Sequence, residues 1–207
     1  MATSVKVLNN TTEKLLDDLK DTIRKGSKVS IAAACFSIYA YQALQKELEG
    51  VEEFRFLYTA PSFVDDSAEG LGDREKQRKE FYIPKFSGES GLYGTEFEIK
   101  LRNELTQRSI ARECAAWIRK KAKFKANAGE GAIAGFMTIE SSLSTTVYPS
   151  LQEFTTVDLG AERGNRLVEN IARMEEEAGQ ETEVTKSLVR NFESLWNDRG
   201  RMQDVTE

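Results

Sequence analysis

Histidine is absent from the 207-residue chain. That absence excludes a Ser–His or Cys–His triad, a histidine general base, histidine-ligated metal and a phospho-histidine intermediate. Any hydrolytic chemistry would have to run on carboxylates and lysine. Cysteine is scarce, and Cys35 and Cys114 stand far apart with no paired spacing. The plain reading is a cytoplasmic, reduced protein with two buried thiols. No apolar run approaches the length of a membrane-spanning helix. The opening MATSVKVLNN lacks the basic-then-apolar pattern of a signal peptide. There is no G-x-x-x-x-G-K-[ST] and hence no ATP-binding loop. Internal repeats and low-complexity tracts are missing too.

What is present fits a globular domain. Hydrophobic residues make up 40% and charged residues 30%, and the length suits one domain, residues 1–207, with a core that needs no covalent staples. The net charge is −5, but it is unevenly placed. From Lys100 to Lys125 there are nine Lys or Arg and only two acids, Glu104 and Glu113. From Glu153 onward thirteen acids face seven bases. An acidic protein with one basic stripe can still bind nucleic acid locally, because the field near the stripe decides.

The periodicities predict an α/β fold with a mixed β-sheet of five or six strands flanked by helices. NNTTEKLLDDLKDTIRKG reads as a helix capped by Asn10 or Thr11, with Leu15, Leu19 and Ile23 as its apolar stripe and Gly26 as its end. KVSIAAACF reads as a buried strand. SIYAYQALQKELEG reads as a helix that Ser37 caps and Gly50 closes, with Tyr41, Leu44 and Leu48 inward. EFRFLYT is a second strand, parallel and adjacent to the first. TEFEIKLRNELTQRSIARECAAWIRKK is helical, but Phe97, Leu101 and Leu105 share one face while Ile110, Cys114, Trp117 and Ile118 share the opposite one. The helix should therefore break near Thr106, or its first half should pack elsewhere. KAKFKA, NAGEG and AIAGFMTIE read as strand, hairpin turn and strand. SSLSTTVYPS reads as loop, and FTTVDLG as a short strand or turn. NRLVENIARMEEEA and TEVTKSLVRNFESLWND read as two C-terminal amphipathic helices split by Gly179.

Three motifs bear on chemistry. The glycines of GEGAIAG precede a strand rather than opening a helix, which rejects a dinucleotide fingerprint. Glu98 and Lys100 form an E-x-K pair. With Asp65 or Asp66 they could imitate a nuclease site in which carboxylates hold Mg²⁺ and lysine orients water. Arg108, Arg112 and Arg119 form a stripe opposite an apolar helix face, and Lys120, Lys121, Lys123 and Lys125 continue it. If KAKFK is a strand, Lys121, Lys123 and Lys125 make a row of cations on one side. Such residues neutralise backbone phosphates without reading sequence. Against this stands a solvated helix face, with Glu104 and Arg108 paired one turn apart.

VSIAAACFSIYAYQALQKELEGVEEFRFLYTAPSF, YGTEFEIKLRNELTQRSIARECAAWIRKKAKFK, FTTVDLG, a following GN and FESLWND together resemble the phospholipase D-like domain at the N-terminus of bacterial Swi/Snf-type helicases. The resemblance implies a phospholipase D-like fold and a helicase motor in cis, beyond the abrupt polar ending. That family's motif is His-x-Lys, four residues, then Asp. The nearest match is Lys123, Phe124, Lys125 and, four residues on, Glu130. In the family's later Gly-Ser-Ser-Asn-Phe-Thr-like segment, Phe154 and Thr155 match, followed by Leu159 and Gly160; Gln152 and Glu153 replace Ser-Asn. The family's histidine is a nucleophile. A lysine there is protonated at neutral pH, so the resemblance implies a non-catalytic module needing no cofactor. Three readings remain open: a DNA-contacting accessory domain of a DNA-dependent ATPase, a protein-interaction or homodimerisation module, and a Mg²⁺-dependent nuclease using Glu98 and Lys100.

Overall fold

The computed structural model describes residues 3–60, 96–129, 131–164 and 168–206, and of residues 96–105 the backbone only. Asp65, Asp66 and Glu130 lie outside the described residues, as do the side chains of Glu98 and Lys100. The elements run β1 (Ser4–Leu8), α1 (Leu15–Thr22), β2 (Lys28–Ala33), α2 (Ile38–Ala43), α3 (Gln45–Glu49), β3 (Glu53–Tyr58), α4 (Glu96–Lys121), β4 (Ala122–Asn127), β5 (Phe136–Glu140), β6 (Ser144–Tyr148), β7 (Ile171–Glu177), α5 (Glu183–Asn197) and β8 (Met202–Asp204). The chain is an α/β protein built on one eight-stranded mixed sheet of order β1-β7-β6-β5-β2-β3-β4-β8.

The expected strand–helix–strand unit forms. β2 and β3 pair in parallel, Val29 beside Phe54 and Ile31 beside Phe56. Between them the Ser37 side chain accepts from the Tyr39 amide, as a cap should. Tyr41, Leu44 and Leu48 are buried, although the backbone breaks at Leu44 into two short helices. β4 then joins β3, also in parallel. All other pairings between these strands are antiparallel.

Several expectations change. β4 and β5 form no hairpin: β3 and β2 lie between them. SSLSTTVYPS contains β6, whose Thr, Val and Tyr residues suit a pleated surface. The segment read as the first C-terminal helix is β7, leaving α5 as the one helix there among the described residues. Of the two alternatives for α4, a break near Thr106 is not seen: the helix is continuous over 26 residues, about 39 Å at 1.5 Å per residue, and the packing of its first half lies outside the described side chains. The helix expected from Asn10 starts only at Leu15, where the Asn10 side chain accepts the Leu15 amide and donates to the Asp158 carbonyl.

Each face of the sheet has its own core. Leu15, Leu19, Tyr41, Leu48 and Trp117 pack with Phe54, Phe56 and Phe124 on the face carrying α1 to α4. Phe36 sits among Phe56, Phe124 and Phe154 at ring-centroid distances of 5.3–5.8 Å. On the opposite face α5 lays Phe192 and Trp196 over Ala32, Leu57, Phe136 and Met202. Among the described residues no helix is long and apolar enough to cross a membrane.

Candidate nucleic-acid interface

α4 is held by its inner face. Ile110, Cys114 and Trp117 are buried, the Trp117 indole N–H donates to the Leu48 carbonyl, and its ring lies 4.9 Å from both Tyr41 and Phe54. Burial pushes the Cys114 thiol up to about 11, so it is packing rather than a nucleophile. Because that face is fixed, the opposite one is presented to solvent. Arg108, Arg112 and Arg119 are all exposed there. At 3.6 residues per turn they fall within an arc of about 40° and span about 16 Å of helix axis. Lys120, also exposed, lies to one side. No ion pair among the described residues engages these four. Glu113, the acid of this stretch, accepts from the Ser109 hydroxyl and the Gln45 amide.

The three lysines that follow do not continue the stripe. Lys121 closes α4 and donates to the Val51 carbonyl at 2.7 Å. Lys123 and Lys125 do alternate on one side of β4, but that side is the α5 face. Lys123 pairs with Glu53 at 3.1 Å and keeps 62% of its side chain exposed. Lys125 donates to the Trp196 carbonyl at 2.7 Å and rests 4.8 Å from the centre of that indole. The expected row of cations is thus largely consumed by the fold, and the sheet separates Lys123 and Lys125 from the α4 arginines.

The motif-like positions do not converge either. Lys123 and Lys125 face α5, whereas Phe154 is buried on the opposite side, stacked on Phe36. Gly135 makes a contact that sequence reading passed over. A Cβ there would lie 1.8 Å from the Leu151 carbonyl oxygen and 3.0 Å from that of Ala32. No side chain of any kind fits where β5 begins against the end of β6.

Arg55 was also missed, although a lone arginine in an apolar strand is a visible signal. It is buried on the α5 face, where it donates to Glu193 at 2.6 Å and to Ser30 at 3.0 Å. That hydrogen bond holds the Glu193 carboxyl below its ordinary range, against the opposing effect of burial, with the Arg55 charge adding to it. Burial pushes Glu140 up, partly offset by Arg55. This cluster is internally paired and faces the helix, so it serves the fold.

Glu113 on α4 and Glu49, joined to it through the Gln45 amide, lie close to this helix, whereas the longest acidic run is remote. The acidic run Glu175–Glu177 lies on β7, five strand positions from β4. At about 4.8 Å per strand that is roughly 24 Å, beyond two Debye lengths at physiological salt. A cleft of about 550 Å³ opens elsewhere, lined by Lys14, Arg163, Glu162 and Glu169 among others. Its two bases and two acids balance, which gives it no preference for an anion. Among the described residues no group of three or more Cys, Asp or Glu is placed to hold a metal ion. No protein-family model matches the chain, and no curated protein sequence matches it.

Proposed function

We propose that this chain is a non-catalytic, phospholipase D-like accessory domain that contacts nucleic-acid phosphates through the outer face of α4, on behalf of a DNA-dependent ATPase motor in cis. The observation that carries the reading is the exposed arc of Arg108, Arg112 and Arg119, flanked by Lys120. Guanidinium groups on a rigid helix whose inner side is locked by Trp117 are well placed for oxygen-rich anions. Lys121, Lys123 and Lys125, counted with them from sequence, are assigned to the fold instead, although exposed Lys123 can add a peripheral contact. The absence of histidine supports a non-catalytic role. The nuclease reading gains no support: the side chains of Glu98 and Lys100 lie outside the described residues, and among those described no group of three or more Cys, Asp or Glu is placed to hold a metal ion.

Fluorescence anisotropy of labelled DNA, titrated with salt in the presence of Mg²⁺, tests this reading, with the DNA run on a gel afterwards. Binding that weakens steeply with salt and leaves the DNA intact is expected. No binding at low salt, or nicked DNA, overturns it. A protein-interaction reading retains one specific support. β1 is an edge strand whose Val5 and Val7 are 64% and 53% exposed, which invites pairing with another chain. A dimer mass in gel filtration that survives high salt and is lost in Val5→Lys/Val7→Lys would favour it.

A further inference from the structure

We infer that Lys121 is a positioning residue of the α4 interface: by pinning the last turn of α4 to the Val51 carbonyl, it holds Arg119 and Lys120 where they meet phosphate, without meeting phosphate itself. This rests on the phosphate-contact reading above and deepens it.

Three side chains, each one turn from the next on α4, meet the α3 segment in order. The Gln45 amide donates to Glu113 at 3.3 Å, the Trp117 indole donates to the Leu48 carbonyl at 3.1 Å, and the Lys121 ammonium donates to the Val51 carbonyl at 2.7 Å. A step of four residues on α4 thus matches a step of three on the facing segment. At 3.6 residues per turn, Glu113, Trp117 and Lys121 span about 80° of the helix, centred about 160° from the arginine arc. The row therefore sets the rotation of α4 about its own axis, and with it the direction of the arc. Rotation matters at this scale. With a helix radius of about 5–6 Å including side chains, a turn of about 20° moves a side-chain position by about 2 Å. A charge-assisted hydrogen bond to a phosphate oxygen is only about 2.7–2.9 Å long and is lost by such a shift.

Lys121 governs the far end of the arc. Arg119 and Lys120 share its helical turn, the last of α4. The final carbonyls of a helix lack partners within it, so this turn is the first to fray. Arg108 and Arg112 lie further back, beside buried Ile110 and Cys114. Lys121 stands about 160° around the helix from Arg119, so its ammonium points away from anything the arc grips. Its charge also suits the negative end of the helix. β4 begins at the next residue, with Ala122 beside Phe54 of β3. No loop takes up slack between α4 and β4. Val51 is buried and leads into β3, so one hydrogen bond ties the helix end to the base of the strand on which β4 lies.

The experiment compares the wild type, Lys121→Met, Arg119→Gln and the double variant by anisotropy with a labelled DNA duplex at several salt concentrations. Amide hydrogen exchange is followed on the same proteins without DNA. Arg119→Gln should flatten the slope of log K against log salt by about one unit. Lys121→Met should flatten it too, and adding Arg119→Gln should then cost far less than in the wild type, because the positioned contact is already lost. Without DNA, Lys121→Met should speed exchange at residues 118–121 and leave 108–114 protected. Lys121→Gln serves the same comparison where Lys121→Met does not fold. Losses that add in the double variant would mean that Lys121 touches phosphate directly. They overturn this inference and leave the phosphate grip intact. An unchanged slope, or exchange that rises throughout the sheet, overturns it as well, by making Lys121 a general stabiliser. Absence of wild-type binding at low salt removes the phosphate-contact reading and this one with it.

Discussion

The Lys125 ammonium lies at the C-terminal end of α5, donating to the Trp196 carbonyl at 2.7 Å and resting 4.8 Å from the centre of the same residue's ring. The last carbonyls of a helix have no partner within it and carry its negative end, so a cation there is stabilising. Lys125 thereby ties β4 to α5 across the sheet.

Lys125→Gln should therefore weaken the fold and spare nucleic-acid binding. A charge-assisted hydrogen bond together with a cation–π contact predicts a loss of about 1–3 kcal/mol. In a chain of this size each kcal/mol lowers Tm by about 2–4 °C. Arg112→Gln should do the reverse, weakening DNA binding with Tm nearly unchanged. Thermal melts and anisotropy run on both variants separate the two roles; equal effects on both readouts would refute the division.

Gly135→Ala should be among the most damaging single-atom additions in the chain. Its Cβ would stand 1.8 Å from the Leu151 carbonyl oxygen. The Leu151 amide also donates to the Gly135 carbonyl at 3.0 Å, so relief would mean parting β5 from the end of β6. A loss of about 3 kcal/mol or more is expected in urea denaturation. Gly200→Ala, where the nearest atom is 3.4 Å away, should change stability by less than about 1 kcal/mol.

Glu193→Gln should lower stability only where the carboxylate is charged. The hydrogen bond from Arg55 holds this carboxyl below its ordinary range. A depressed carboxylate stabilises above its unfolded-state value, near pH 4.3, and the benefit disappears as pH falls through the folded value. The wild type should lead the variant by about 1 kcal/mol at pH 7, discounted for the half-exposed glutamate. The two should converge in acid, once the folded-state carboxyl is protonated. A gap that persists in acid would mean that shape, not charge, joins Arg55 to Glu193.

Tyr148→Phe should separate α1 from the sheet energetically. The Tyr148 hydroxyl donates to Asp18 at 2.6 Å, and Arg173 of β7 reaches the same carboxylate oxygen at 2.9 Å. Burial, with the Asp18 charge beside it, raises the phenol far above its ordinary value, so it stays a neutral donor at every working pH. Losing that donor should cost about 1–2 kcal/mol, with the greatest gain in amide hydrogen exchange in α1.

The sequence by itself determined the elements whose own residues specify them. Ser37 and Gly50 bound the α2–α3 segment, the continuous apolar run of β2 demands burial on both faces, and the 3.6-residue period sets Arg108, Arg112 and Arg119 opposite Ile110, Cys114 and Trp117. These are local patterns, and local geometry carries them into the fold. β6 is not among them: STTVY is rich in strand-forming residues, yet beside serine and proline it reads as loop.

Only the tertiary structure decided the rest. Ile171–Glu177 favours a helix by its alanine, arginine, methionine and glutamates, but pairing with β1 and β6 and the Arg173–Asp18 contact make it a strand. Neighbouring strands in sequence, β4 and β5, are separated in space because β2 and β3 claim the centre of the sheet. The lysines that follow the arginine stripe look equivalent in sequence. Their fates diverge because Val51, Glu53 and Trp196, far along the chain, supply partners for Lys121, Lys123 and Lys125 and leave the α4 arginines to solvent. Long-range pairing of this kind has no local signature, since it depends on which surfaces meet after the sheet has closed.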